Sequence, residues 1–458
     1  MAKKTLAELE QALADSKARE RLISLFDEES FVELDKFISA SGEPASVITG
    51  CGTVDGAPVY AFSQDVSVKG GAVNKASAAK IRKVYELAIK NGAPVVGIYD
   101  SKGGDISEGA EMLDAYSDIA CASAQLSGVV PQISLVAGIC AGTAAMTACM
   151  ADFVVMTEAS EFFMTAPFVA EDGNMPGAGT AENAAKSGTA AIVAKDEAAA
   201  IEEVKKLIRI LPSNNLEISG NDLSAENDAE VTSTLTAGAL VEAISDKNSV
   251  TELYADFGTA AYTAFASLRW RTVGFIATDK TAAKLTADDS AKIARFVSFC
   301  DAFSIPVVTV LNSEGFDGGA AKELSGSIRD AAKLAQVYSS ATTPKITLIT
   351  GRAYGSAYCA IAPASDFVIA YEDAVISAAA PKAAVIMLKG DTLNGSNEAQ
   401  LVGDYEANEA SPYTLAGYGS IDRIVEAADA KEAVLSAVEL MSSKRVSAPQ
   451  RKHINFVY

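Results

Sequence analysis

The sequence predicts an α/β protein made of two tandem domains related by internal duplication, and three observations carry that prediction. Apolar runs of strand length, such as VVGIY, ISLVAG, VVTVL and ITLITG, alternate with helical patterns, as in sheets covered on both faces. The stretch APVVGIYDSKGG at 93–104 returns as IPVVTVLNSEGF at 305–316. A second block then repeats in the same order: PQISLVAGICAGTAAM from Pro131 returns as PKITLITGRAYGSAYC from Pro344, and ADFVVM around Asp152 as SDFVIA around Asp366. The pairs Pro94/Pro306, Pro131/Pro344 and Asp152/Asp366 lie 212, 213 and 214 positions apart, a spacing too constant for chance and too long for a solenoid period.

Each copy has the order helix, strand, turn, helix, strand, Gly-turn, helix. The leading helices are predicted over ASAAKIRKVYELAIKNG (76–92) and DDSAKIARFVSFCDAFS (288–304), where apolar residues recur at three- and four-residue intervals. The N-terminal MAKKTLAELEQALADSKARERL has a charged amphipathic helix pattern. Between the copies, FVAEDGNMPGAGTAENAAKSG (168–188) reads as loop, EAAAIEEVKKLIRIL (197–211) as helix and LPSNNLEISGNDLSAEND as a turn-rich connection. The boundary falls near 215–232, giving domains 1–225 and 226–458.

Composition agrees with two packed cores. The 458 residues are 49% hydrophobic and 21% charged, and the length exceeds that of an ordinary single-core domain. A net charge of −21 disfavours a broad surface for nucleic acid or anionic lipid. No run of eighteen apolar residues and no secretory apolar core occurs, so a cytoplasmic protein without membrane insertion is expected. The six cysteines (Cys51, Cys121, Cys140, Cys149, Cys300, Cys359) form no CxxC pair and read as buried thiols.

Chemistry concentrates at the repeated turns. In GICAGTAAMTACM and GRAYGSAYCAIA a buried strand ends at small residues and an Ala-rich helix follows. The first amides of such a helix have no internal partner and carry the positive end of its dipole. One amide aimed at a carbonyl oxygen is half of an oxyanion hole, and the turn after the preceding strand, SKGGD or SEGFD, supplies the other half. A backbone donor requires a small side chain and a fixed turn, which Gly142-Thr143 and Ser356-Ala357 provide. Any single turn of this kind also suits a plain connection in an α/β sheet; the duplicated context singles these out.

Other chemistries lack their residues. There is no GxSxG elbow and no GxxxxGK[ST] loop, and GCGTVDG (50–56) has Asp55 where the third glycine of a dinucleotide fingerprint would fall. The single histidine, His453, excludes a histidine-dependent triad, leaves Cys140 without an activating base, and with dispersed cysteines excludes a zinc cluster. Two oxyanion holes without a protein base suit carboxyl transfer from biotin. Loss of CO₂ from carboxybiotin leaves an anion able to take the α-proton of an acyl thioester, so the protein chiefly stabilises charge and orients reactants.

The chain resembles the carboxyltransferase subunits of biotin-dependent acyl-CoA carboxylases and decarboxylases. The likeness spans nearly its whole length, in DEESFVELDKF, TGCGTVDGAPVYAFSQD, GGAVNKASAAKIRKVYELAIKNGAPVVGIYDS, SGVVPQISLV, LPSNNLE, FCDAFSIPVVTV, ATTPKITLITGRAYGSAYCA and the ending ASPYTLAGYGSIDRIVE. The resemblance implies two crotonase-like domains, the first holding the CoA thioester and the second biotin. It implies a dimer or hexamer of this chain, with sites completed between subunits, to which the apolar C-terminal INFVY adds support. It places the thioester hole on Gly104 and Thr143 with Gly142 shaping the turn, and the biotin hole on Phe316 and Ala357 with Ser356 alongside. Gly103, Gly315, Gly355 and Tyr354 fall at the cofactor-contacting positions beside them. The chain has no biotinyl-lysine motif, so the resemblance implies biotin on a separate carrier protein, with a biotin carboxylase or a membrane decarboxylase subunit as further partner.

The chain also departs from the pattern. Asp105 stands where relatives have arginine and Lys102 where they have glycine, so an acid is expected near the CoA phosphates. Asn183 replaces a histidine, SEGFDGGAAKE replaces a proline-containing loop, and PKAAVIMLKGD replaces AEGAVNIIF. These changes suggest an altered acyl substrate or a non-catalytic scaffold paralogue; a biotin-free crotonase-type hydratase or hydrolase, with Glu108 just after the first turn, is a further alternative.

Overall fold

The computed structural model describes residues 16–40, 43–167, 177–217, 225–390, 393–394, 396–447 and 455. The chain divides after Glu217 into two compact units. His453, most of the INFVY segment, residues 1–15, 168–176 and 218–224 lie outside the described residues.

The first unit begins with helix α1 (Lys17–Leu25) and strands β1 (Val32–Leu34), β2 (Val47–Val54) and β3 (Ala57–Gln64). Helix α2 (Lys75–Asn91) leads to β4 (Val95–Ser101), α3 (Glu111–Leu126), β5 (Gln132–Ala141), α4 (Thr143–Cys149), β6 (Phe153–Thr157) and β7 (Glu161–Phe163). Helix α5 (Ala181–Lys186), β8 (Ile192–Ala194) and α6 (Glu197–Ile210) complete it. The eight strands form one sheet of order β1-β2-β3-β4-β5-β6-β8, with β7 paired to β5. The β1–β2 and β2–β3 pairs are antiparallel and the rest parallel.

GCGTVDG is therefore the end of a hairpin. Asp55 (φ 50°) and Gly56 (φ 79°) form the tight turn that twists with its strands, which accounts for the aspartate in place of a glycine. The 168–188 segment, read as loop, contains α5, whose first turn is capped by the Thr180 hydroxyl.

Local signals explain the long helices. Asn74 caps α2 by accepting from Ser77 N at 2.8 Å, and Gly92 ends it in the left-handed region at φ 61°. Ile81, Val84, Tyr85 and Ala88 line its buried face and join Val95, Tyr99, Ile119 and Val136 in the core. Every residue of β4 is buried, as its continuous apolar run requires.

The second unit repeats this arrangement. Its sheet runs from β9 (Thr251–Leu253) through β10 (Tyr262–Leu268), β11 (Arg271–Ala277), β12 (Val307–Ser313), β13 (Lys345–Tyr354) and β14 (Phe367–Tyr371) to a last strand at Arg423–Val425, with Val375–Ser377 paired to β13. Helix α7 (Ala287–Ala302) is the counterpart of α2 and opens on a Thr286/Asp289 capping box. Helix α8 (Gly355–Ile361) follows β13 as α4 follows β5, and α9 (Pro381–Lys389) and α10 (Glu398–Asn408) lie beyond it.

The cysteines correct one expectation. Cys140 and Cys300 are buried, Cys51 is half-buried, and Cys121, Cys149 and Cys359 are exposed. Cys149 and Cys359 are exposed because each lies three residues after another exposed position, Met146 and Ser356, on the outward face of α4 and α8. No helix of the described residues is long and apolar enough to cross a membrane.

Candidate active sites

The two repeated turns have the same internal wiring. In the first unit Ser101 Oγ accepts from Gly103 N at 3.1 Å, while Gly103 (φ 115°) accepts from Val73 N at 2.9 Å and Asp105 N donates to Val73 O at 2.9 Å. In the second, Ser313 Oγ accepts from Gly315 N at 3.2 Å, Gly315 (φ 104°) accepts from Leu285 N at 3.0 Å, and Asp317 N donates to Leu285 O at 2.8 Å. These are the bridges Val73–Gly104 and Leu285–Phe316, and in such a bridge the middle residue turns its own amide away from the partner. The amides of Gly104 and Phe316 thereby point away from Val73 and Leu285. Gly103 and Gly315 meet the φ that these turns demand, at little cost only to glycine.

The helix starts lie beside them. A Cβ built on Gly103 would stand 3.7 Å from Ala141 O, and one on Gly315 3.7 Å from Tyr354 O, so each turn abuts the last residue of the neighbouring strand. Gly142 (φ 65°) spends its amide on Phe163 O at 2.9 Å, leaving Thr143 as the first open donor of α4. Gly104, Gly142 and Thr143 are half-exposed, whereas Gly103 is buried.

In the second unit Gly355 (φ 54°), Ser356 and Ala357 form the first turn of α8. Here Ser356 is exposed and Ala357 buried. The duplication register pairs Gly142 with Gly355 and Thr143 with Ser356, because Ser101 pairs with Cys140 as Ser313 pairs with Ala353. Thr143 and Ala357, the two residues assigned from the resemblance, are thus one step apart in the repeat.

A cavity of about 1210 Å³ opens from the second turn between α8, α9 and α10. Gly355 and Ser356, the apolar Ile376, Val385 and Leu401, and the charged Lys389, Asp404 and Glu409 line it, and the Ser377 and Tyr405 hydroxyls in its lining bond each other at 2.9 Å. Around the first turn Ile106, Leu113 and Met146 stand exposed.

Asp105 does not behave as an exposed acid. Its carboxylate is buried, accepts from Lys69 Nζ at 2.8 Å, and caps the short turn that follows through Ser107 N at 3.1 Å. The Lys69 and Ser107 hydrogen bonds hold its carboxyl below the ordinary range. The acid is thus paired with a cation from the turn before α2, and the Lys102 side chain lies beside that turn. Asn183 is exposed on α5. Glu108 accepts from Lys75 N at 2.8 Å at the start of α2, tied as a helix cap. Burial pushes the Cys140 thiol far up and disfavours the thiolate. No cluster of metal-ligating side chains exists among the described residues.

Two tandem units of this kind, each with a glycine turn beside a helix start, define a crotonase-fold protein. The profile of the carboxyl transferase domain matches residues 14–456, and the chain belongs to that family. It is 35% identical to the methylmalonyl-CoA decarboxylase subunit alpha of Propionigenium modestum, over 98% of this chain and 94% of that one. It is 34% identical to the propionyl-CoA carboxylase beta chain of Roseobacter denitrificans, over 96% of this chain and 93% of that one. Among solved structures, transcarboxylase 12S with hydrolysed methylmalonyl-coenzyme A bound, described as a hexamer, superposes at a TM-score of 0.92 with 33% identity, covering 99% of this chain and 95% of that one.

Proposed function

We propose that this protein is the carboxyltransferase component of a biotin-dependent acyl-CoA carboxylase or decarboxylase, acting on a short acyl-CoA of the propionyl or methylmalonyl class. The observation that carries the reading is the twin wiring of the Gly103 and Gly315 turns, each beside a helix start. The named relatives and the 12S structure act on or bind such thioesters, which supports the substrate class.

In this reading the first unit receives the thioester. The amides of Gly104 and Thr143 take its carbonyl oxygen and stabilise the enolate formed as the α-carbon gains or loses a carboxyl group. The second unit receives biotin at Phe316, Ser356 and Ala357, with Gly315, Tyr354 and Gly355 shaping the turn. The cavity above α8 supports a carried biotin: it is roomy enough for a ring on an arm, Ile376, Val385 and Leu401 offer it apolar contact, the small Gly355 and Ser356 leave the helix start open, and Lys389 lies among the acids Asp404 and Glu409. When bound, that group supplies the transferable carboxyl and the base that the protein lacks. The chain's own work is binding, orientation and charge stabilisation.

A separate biotin carrier protein, a biotin carboxylase or membrane decarboxylase subunit, a hexamer of this chain and a cytoplasmic location complete the proposal. The test is transfer of the carboxyl group from methylmalonyl-CoA or malonyl-CoA to free biotin by the purified protein. Biotin-dependent formation of the decarboxylated thioester is expected; its absence with every acyl-CoA tried counts against the reading.

A further inference from the structure

The second turn carries a charged clamp that the first turn lacks. Arg352 lies on β13, three residues before Gly355, and its guanidinium reaches three acceptors. Nη1 donates to Glu314 Oε1 at 2.8 Å, Nη2 to Asp279 Oδ2 at 2.6 Å, and Nε to Asn312 Oδ1 at 3.3 Å. Asn312 closes the network, accepting from Arg352 N at 2.9 Å and donating to Asp279 Oδ2 at 2.9 Å. Gly351 makes room for this: a Cβ there would stand 2.8 Å from Asn312 Oδ1.

One side chain thus joins the end of β12, the residue two before Phe316, and the loop after β11. In the first unit the duplication register places Ile139, Lys102, Asp100 and Asp65 at these positions. Asp100 is held there by Arg21 of α1 at 3.0 Å, and Asp65 bonds Ser67 instead. Both Arg352 and Glu314 are about one-third exposed, at 36% each, so the ion pairs themselves add little to stability. What the planar fork does supply is geometry, since it fixes two acids in one plane.

We propose that Arg352 is a positioning residue for the second site, holding the Glu314–Phe316 turn against the start of α8 so that the Phe316 amide stays aimed. The inference rests on the carboxyltransferase reading. Its test is transfer from methylmalonyl-CoA to free biotin by the full-length Arg352→Met variant, which keeps the apolar stem. A displaced donor lowers kcat by about 10- to 100-fold with a raised KM for biotin. The Kd for the CoA thioester, measured by calorimetry, stays within about twofold because the first turn is untouched. Arg352→Lys recovers only part of the rate, because an ammonium cannot bridge both acids, and methylguanidinium added to Arg352→Ala recovers more. Should Arg352→Met fail to fold, Glu314→Gln and Asp279→Asn each remove one arm, and each is expected to show the same biotin-side loss. Wild-type kcat and KM in these variants, or an equal loss of thioester affinity, overturns the inference while leaving the function intact. A wild-type protein inactive with every thioester overturns both.

Discussion

Lys69 Nζ lies 2.8 Å from Asp105 Oδ2, joining the turn before α2 to the turn after β4. The pair brings a buried acid to the mouth of the first site already neutralised. Lys69→Met leaves that acid uncompensated, and the thioester is expected to bind more weakly by about 1 kcal/mol, more at low salt. Asp105→Asn in the same background restores affinity. Calorimetric titration of a CoA thioester with the three proteins checks this.

The same pair has a pH signature. Because the folded Asp105 carboxyl is held below its ordinary value of 3.8, its contribution to stability is fully present above that value. It is lost as pH falls through the lowered folded value. The difference in urea midpoint between wild type and Lys69→Met is therefore expected at pH 7 and to shrink toward pH 3.

The Thr143 role is assigned to a backbone amide, which makes side chain and donor separable. Thr143 is the first residue of α4, where proline is compatible with the helix but has no N–H. Thr143→Ala is expected to keep activity within a few-fold, whereas Thr143→Pro lowers kcat by roughly 10²–10³. Equal activities in the two variants would remove Thr143 N from the mechanism.

Gly104 offers a steric test. A Cβ at this position collides with Met112 Sδ and stands 3.1 Å from Tyr116 Cε2. Gly104→Ala should push the turn off α3 and cost transfer activity about 10²-fold. Met112→Ala added to it opens the space and recovers much of the loss; no recovery would show that the glycine is needed for another reason.

These sites show what a sequence discloses and what it withholds. The duplication was legible because strand, turn and helix each repeat types that backbone geometry demands: glycine at φ 115° and 104°, serine two residues earlier to hold the glycine amide, and small residues at the helix start. The neutralisation of Asp105 was not legible, because Lys69 lies 36 positions away and meets it only when two turns fold together. The Arg352 clamp spans 73 positions to Asp279 for the same reason. The hairpin at Asp55-Gly56 was open to a reading as Asp-Gly between alternating strands, and the glycine-rich look of GCGTVDG obscured it.

A last expectation concerns two buried lysines at equivalent places on α2 and α7. Lys80 Nζ donates to Val47 O at 2.9 Å, whereas Lys292 Nζ donates to Tyr254 O and Ala261 O at 2.8 Å, Phe257 O at 3.0 Å and Gly258 O at 3.4 Å. Burial lowers both ammonium groups to about 8 from 10.5. Between those values the unfolded chain binds more protons than the folded one, so these groups make stability rise with pH from about 8 to 10.5. Above 10 the buried Tyr85 and Tyr338, whose ionisation burial pushes upward, reverse the trend as the unfolded chain loses their protons first. Lys292→Met flattens the rising limb but strands four carbonyls, so at pH 7 it is expected to destabilise by roughly 1–3 kcal/mol, and Lys80→Met by less. Urea midpoints at pH 7, 9 and 11 decide it, and a Lys80 variant as unstable as the Lys292 one would mean that burial, not carbonyl count, sets the cost.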